Sequence, residues 1–501
     1  MCQTGTETLR QRPVAGKSKD TLVSGTTDRN QENRPTTTDP TKKEGKRKLN
    51  NPVWSSTLPF YPPSDKYWRI GNTWYDLSSF NHPGGKQVLE LSRDRFEDAT
   101  FAFEAHHHDY QRARKILQKY RVPDEVIAKE KDHFVDRPTR EESSQARFAG
   151  PRPTHHDRLL DANNYPNLAD DDAFYSVLRR RVAAYLRDVG CKDGGPTWAC
   201  IVFFWSTFFT WLSGMCLTYH TGSYWWAAFT GFFGAWLCSF GHNWTHQPKY
   251  KNWGWGILSL DMCGYSSEGW FRDHVLQHHM FTNTPWDHHL HCMDPFLLTD
   301  PCTPRNFVQR NISPYLFHAF FSWGSYFNYF FHTVWLLQGW EEWSIGKPIF
   351  LIEHYLFWQK WGFHGLCLVL ATNAVVANYF FTLSWMNHNA EETKDVKARN
   401  ESKDWGEAQL RSCADWSVHL NFFQSMIYLN LNYHTLHHMF PKVDFCHYPN
   451  IQRIMEDTCQ DFGIEYAHYK NPLKLYWNMI LTFGENPSSV KEILVYGGGA
   501  I

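Results

Sequence analysis

The chain has 501 residues, with 50 Lys and Arg against 51 Asp and Glu and a net charge of −1 at pH 7. A balance this close to zero supplies no global field for nucleic acid, and the length is enough for more than one domain. Its 12 cysteines are scattered without a CxxC pair, which points to reduced thiols rather than a disulfide frame or a zinc knuckle.

Residues 1–50 are rich in Thr, Lys, Arg, Gln and Glu with almost no aromatic or branched apolar residues, a composition that predicts a disordered tail. No apolar h-region follows Met1, so no signal peptide is expected and the first membrane span takes that role. From Tyr67 to Gly85 the sequence YWRIGNTWYDLSSFNHPGG reads as two strands meeting at a Gly-Asn turn, then a loop ending in HPGG. Pro83 and two glycines fix a tight turn and leave little bulk beside His82, so a flat macrocycle can approach the imidazole. Residues 131–169, rich in Pro and charge, read as a linker. Asp170 to Val189, within a pre-membrane segment 170–197, reads as an amphipathic helix lying on the membrane.

Four later runs, 198–219, 223–241, 312–338 and 362–386, contain no Asp, Glu, Lys or Arg. Each suffices for the roughly 20 residues of helix that a hydrocarbon core needs. Four transmembrane helices are expected. Arg179, Arg180, Arg181, Arg187 and Lys192 precede the first span, and Lys249 and Lys251 follow the second, which by the positive-inside rule puts both ends in the cytoplasm. Four crossings return the chain from Asn387 onward to that side.

Three histidine clusters lie beside these runs: His242 and His246 (HNWTH), His274, His278 and His279 (HVLQHH), and His434, His437 and His438 (HTLHH). Spacings of three and four on a helix place imidazoles on one face, about one turn apart, where they can close on one ion. A lone i, i+4 pair is more often a surface accident than a ligand pair. Two HxxHH groups, each at the cytoplasmic mouth of a span, point instead to a shared metal site. Imidazole suits Fe, Cu, Ni and Zn, so the clusters alone do not name the metal. His318, His332 and His364 sit singly in apolar runs, where a hydrogen-bonded packing role is expected. His288, His289 and His291 follow the second cluster closely, and with Asp287 and Asp294 nearby they fit a solvated loop about as well as a part of the site.

The series HxxxH, HxxHH, HxxHH, with the flanking words QHHMFTN and LNYHTLHHMFP, resembles the membrane fatty acid desaturase and hydroxylase superfamily. The stretch Trp385-Met386-Asn387-His388, followed by Asp404-Trp405 and Gln409-Leu410, is similar to the front-end desaturases. That resemblance implies two non-haem iron ions held by the eight clustered histidines together with His388. The first box reads HNWTH where the front-end subgroup has HDxGH, and His434 stands where that subgroup usually has Gln.

Upstream, YDLSSF, HPGG and DATFAF resemble cytochrome b5. This implies haem b between His82 and a second axial histidine, where the DATxxFxxxH pattern ends at His107; His106 and His108 flank it, so the ligand is open by one place. The acidic residues Asp94, Glu97, Asp98 and Glu104 would suit docking of a basic reductase surface, and an ordinary solvated face reads equally well.

Together the resemblances imply a tail at 1–50, an α+β cytochrome b5-like haem domain at 51–130, the linker and pre-membrane helix, and a membrane desaturase domain at 198–501. The last would be an all-α four-helix transmembrane domain with a cytosolic histidine-rich cap. The implied activity inserts a cis double bond into an acyl-lipid or acyl-CoA with O2 and electrons from NADH or NADPH through cytochrome b5 reductase. The implied site is the endoplasmic reticulum membrane, with haem domain and boxes facing the cytosol. A hydroxylase on the same scaffold and a non-enzymatic haem-bearing membrane protein are the rival readings.

Overall fold

A computed structural model of the chain describes residues 64–95, 98–130, 133, 165–247, 249–250, 254–283, 287–300, 303–337, 343–394 and 401–485. The expected tail, most of the linker and the Pro-rich stretch before Ser64 lie outside the described residues.

The N-terminal domain opens on the expected hairpin. β1 (Trp68–Ile70) pairs antiparallel with β2 (Thr73–Tyr75) in the register Trp68↔Tyr75. Gly71 and Asn72 both have φ of 58°, the left-handed pair that a two-residue hairpin turn requires. Behind it, α1 (Lys86–Arg95), α2 (Thr100–His106) and α3 (Tyr110–Leu117) wall a cavity. Asp98 fixes the start of α2 by accepting the Thr100 N–H at 2.9 Å, and Asp109 caps α3.

Next comes α4 (Phe174–Asp188), amphipathic as expected. Its apolar face, however, is covered by protein and not by a membrane: Leu178, Val182 and Leu186 are fully buried. On the same helix Arg179 is 0% exposed. Its guanidinium pairs with Glu104 of α2 and lies over the rings of Tyr110 and Tyr175, 3.9 and 4.3 Å from their centres. Glu104 is therefore no part of an exposed acidic patch; it is 4% exposed and also pairs with Arg114 at 2.9 Å. Of the other three carboxylates, Asp98 faces Thr100 and Arg69, while the side chains of Asp94 and Glu97 lie outside the described residues. A buried charge left without its partner is costly, so Arg179→Ala is expected to destabilise the protein by about 3 kcal/mol, read as a lowered thermal unfolding midpoint in detergent.

The second domain is mostly helical. α5 (Trp198–Thr221) is capped by Thr197, ends at Gly222 with φ of 64°, and turns through Ser223 into α6 (Tyr224–Trp244). Only α5 and α10 (Phe363–Met386) are, among the described residues, long and apolar enough to cross a membrane by length and composition. The run expected at 312–338 is broken into α7 (Ser313–Phe321) and α8 (Gly324–Leu337). At the break Ser322 Oγ donates back to His318 O and accepts from Asn378 Nδ2, each at 2.8 Å; such side-chain bonding competes with the helix ladder. A further helix, α9 (Lys347–Trp361), escaped the sequence reading because Lys347, Glu353 and Lys360 interrupt its apolar run. Large side chains on these helices, among them Trp225, Phe330, Tyr355 and Phe363, are exposed.

Close helix contact is set by small residues. A Cβ on Gly231 of α6 would stand 2.6 Å from Thr372 O of α10, and one on Gly234 would stand 2.8 Å from Val376. The C-terminal part adds α11 (His434–Met439), α12 (Tyr448–Phe462) and α13 (Pro472–Gly484), with a short parallel pair, β3 (Asp415–Trp416) beside β4 (His468–Tyr469). One apolar core runs from Trp68, Leu89 and Phe101 through Leu178 and Val182 to Phe271, Met280 and Met439, joining the two domains.

Candidate metal centre and haem pocket

The clusters converge, but each HxxHH group is divided. His242, His274, His279 and His437 form one buried set whose ligand nitrogens all lie within 4.8 Å of one another, and His278, His388, His434 and His438 form a second. The backbone explains the division. Residues Phe271–His278 wind as a π-helix, in which residue i+5 takes the place above residue i, so His279 rather than His278 meets His274, Nε2 to Nε2 at 3.0 Å. On α11 ordinary winding pairs His434 with His438 at 3.2 Å and sends His437 the other way, to 3.0 Å from His279 Nε2. His388, just past α10, completes the second set with its Nε2 2.8 Å from His434 and 3.1 Å from His278.

Those spacings fit bound cations. His388 Nδ1 faces the Ser412 carbonyl at 3.1 Å and His278 Nδ1 faces the Asp287 carboxylate at 2.9 Å. Both partners only accept, so each ring carries its proton on Nδ1 and two bare Nε2 lone pairs point at each other. A cation between them removes the repulsion. Nitrogens about 3 Å apart are the spacing of adjacent ligands that each sit about 2.1 Å from one metal ion. Burial holds His388 down at about 3, so its ring stays neutral and able to ligate.

The second set is also the better braced. His438 Nδ1 meets Thr282 Oγ1 at 3.1 Å, and Thr282 in turn bonds His278 O. Asp287, 1% exposed, accepts from the Asn283 and His289 N–H groups besides His278. Burial would raise its carboxyl, yet the neighbouring His278 outweighs that and holds it below the usual carboxylate range. Partners of this kind typically carry 10–100-fold of metal affinity. Asp287→Asn is expected to weaken metal retention by about 10-fold or more, measured as iron per protein after dialysis against a chelator.

His246 stands at the edge of the first set: its ring centre is 4.3 Å from His279 and 4.8 Å from His437, and both its nitrogens are buried without a partner. The sequence left His289 between a loop and the site; its ring lies 4.4 Å from His278, and its nitrogen groups with those of His274 and His278. The one available signal was its closeness in sequence to the second box, too weak to separate it from His288 and His291. His318 has the packing role expected of it, between Asn378 at 2.8 Å and Tyr476 at 2.9 Å.

A cavity of about 340 Å³ opens on His278, His388 and His434 of the second set and on His242 and His274 of the first. Phe327, Phe331 and Trp335 of α8 and Phe381 and Trp385 of α10 line its apolar side.

In the N-terminal domain His82 and His107 face each other across a second cavity, of about 480 Å³, with ring centres 6.1 Å apart. Two imidazoles on opposite faces of one iron stand about 6 Å apart centre to centre. Its walls are largely apolar: Ile70, Leu77, Phe80, Phe103, Ile116 and Leu117. His107 Nδ1 donates to Phe103 O at 2.7 Å, which leaves Nε2 bare toward the cavity. The Gly84 N–H at 2.9 Å fixes His82 at Nδ1. Burial, with a smaller contribution from Lys442, lowers His82 to about 4 and His107 to about 3, so both rings stay neutral. His106 and His108 bond elsewhere, to Ala102 O and Lys192 O. The cavity is closed by the second domain, which contributes Thr245, His246, Phe271, Leu276 and Lys442.

An apolar cleft that fits a flat macrocycle thus lies beside a candidate all-imidazole metal centre. Comparison with known proteins agrees. A model of the fatty acid desaturase family matches residues 220–470, half of the chain, and one of the cytochrome b5-like haem/steroid binding domain matches residues 56–124. The chain belongs to the fatty acid desaturase family and carries a cytochrome b5-like domain ahead of its catalytic part.

The chain is similar to the acyl-lipid (8-3)-desaturase of Physcomitrium patens, 25% identical over 81% of this chain and 85% of the relative. It is similar to the acyl-lipid (8-3)-desaturase B of Dictyostelium discoideum, 21% identical over 90% and 98%. A third relative, the cytochrome b5-related protein of Drosophila melanogaster, is 23% identical over 79% and 83%. No solved structure matches significantly.

Proposed function

We propose that this protein inserts a cis double bond into a long acyl chain, at the front-end position, between an existing double bond and the carboxyl group. The observation that carries the reading is the pair of four-histidine sets opening on a cavity whose far wall is aromatic and apolar. The ligands to two non-haem iron ions would be His242, His246, His274, His278, His279, His388, His434, His437 and His438. When bound, the iron pair supplies the oxygen-dependent removal of two hydrogens from adjacent methylenes. The chain's own residues do the rest. Phe327, Phe331, Trp335 and Phe381 bury the acyl segment and keep water from it, and its depth along this wall selects the carbon that meets the metals. The names of the moss and slime-mould relatives support an acyl-lipid substrate.

Haem b would sit between His82 and His107, a bis-histidine carrier with no open iron position that passes one electron at a time. Electrons would come from NADH or NADPH through cytochrome b5 reductase. The protein would lie in the endoplasmic reticulum membrane, and the basic residues before α5 and after α6 support both centres facing the cytosol.

The test is expression in yeast supplied with a panel of fatty acids, with lipids read by gas chromatography and mass spectrometry. A product lighter than its precursor by two hydrogens, with the bond on the carboxyl side of an existing one, is expected. A product heavier by one oxygen atom would make the enzyme a hydroxylase. A normal haem spectrum with no product from any acid would favour the non-enzymatic reading.

A further inference from the structure

The haem cavity and the metal centre share a wall, and two histidines meet in it. His106, next to the haem-facing His107, lines the cavity, as does His246. Their rings stack at 6.0 Å between centres and 25° between planes. On its far side His246 is 4.3 Å from the ring of His279 and 4.8 Å from that of His437, both members of the first metal set. No hydrogen bond joins the two imidazoles, so their contact is ring on ring. His106 bonds only Ala102 O through Nδ1, its Nε2 is buried without a partner, and both His246 nitrogens are likewise unpartnered. The ligand role given above accounts for the His246 nitrogens; what the stack adds is an unbroken run of aromatic rings from the haem cavity to the first metal set.

We propose that the stacked pair His106 and His246 is the electron bridge between the haem pocket and the metal centre. The inference rests on the reading given under Proposed function and adds to it a route. Each passage moves one electron: one ferrous haem becomes ferric and one ferric ion of the centre becomes ferrous, no bond forms or breaks, and no proton is carried. A turnover takes two passages, the haem being reduced again between them by the one-electron reductase chemistry at its outer edge. The route needs no swing of the N-terminal domain. The buried pair of Glu104 with Arg179, the 2.9 Å bond from His108 Nε2 to Lys192 O and the 6.1 Å stack of Phe101 on Trp405 hold that domain in place while the electron crosses.

The experiment uses the full chain in detergent, loaded with haem and iron and kept free of oxygen. The haem is reduced by a flash of light in the presence of an added one-electron photoreductant, a deazaflavin with a sacrificial amine donor, and its return to the ferric state is followed in the Soret band; iron content and haem potential are measured alongside. His106→Leu is expected to keep the haem spectrum, potential and iron content and to slow haem reoxidation at least tenfold. His106→Phe, which restores a stacked ring without imidazole nitrogens, is expected to recover most of the rate, an outcome that a purely structural role of the nitrogens would not give. Reoxidation in His106→Leu as fast as in the unaltered protein would overturn the bridge while leaving the desaturase reading intact. Failure of the unaltered protein's haem to reoxidise at all with the centre loaded would overturn both.

Discussion

His437→Ala is expected to abolish desaturation while leaving the haem spectrum unchanged. His437 Nε2 lies 3.0 Å from His279 Nε2 and 3.4 Å from His274 Nε2, in the interior of the first set, and the residue is 2% exposed. On its other edge, Tyr448 OH lies 3.4 Å from Nδ1. Partners that merely orient a ligand carry about 10–100-fold of affinity or activity, so loss of a ligand at this position should exceed that range. The measurement is product formation in yeast together with iron per protein and the Soret band of the purified variant. Full activity in His437→Ala would refute the shared metal site.

The opposite dissection is His82→Ala. It is expected to remove the haem, and with it all turnover that depends on a reductase, while the histidine centre keeps its iron. His82 is one of the two rings that face each other across the cavity at 6.1 Å, and two of the lining's other imidazoles, His106 and His108, are bonded to Ala102 O and Lys192 O. The tight HPGG turn is what brings this ring to the cavity, with the Gly84 N–H only 2.9 Å from Nδ1. Absence of the Soret band with unchanged iron content in the second domain is the expected result. Haem retained at full stoichiometry would move the axial role to another residue. The two variants thus remove one redox centre each, and only a molecule holding both should make product.

Local signals were legible in the sequence because they are short. The Gly71-Asn72 turn needs two residues of positive φ, and the sequence supplies two that tolerate it. The histidine boxes were equally plain, and so were α5 and α10 as uninterrupted apolar runs. What spacing could not reveal was the division of each HxxHH box between two sets, because that depends on π winding at Phe271–His278, which no local residue pattern announces. Periodicity also says that Leu178, Val182 and Leu186 share a face without saying what covers it. A membrane surface and a protein core present the same apolar demand, and here protein meets it. Glu104 misled for the same reason: a carboxylate among carboxylates reads as surface until Arg179, far along the chain, buries it. The run at 312–338 looked continuous because Ser322 and Gly324 are uncharged and glycine is common in apolar spans; the break is fixed by bonds to α7 and α10.

The haem pocket is walled in part by Phe271, Leu276 and Lys442, which carries a consequence for how the protein is made. On the ribosome the N-terminal domain emerges first, yet the last of these residues is translated only after every apolar helix from α5 to α10 has been threaded. At roughly 5–20 residues per second, the newborn domain waits on the order of tens of seconds for the wall that closes its cleft. During that interval Phe101 and Ala105, buried in the finished protein, lack part of their cover. Nascent chains stalled before Lys442 should therefore hold haem loosely and recruit chaperones, and the mature grip should arrive only when the C-terminal segment docks.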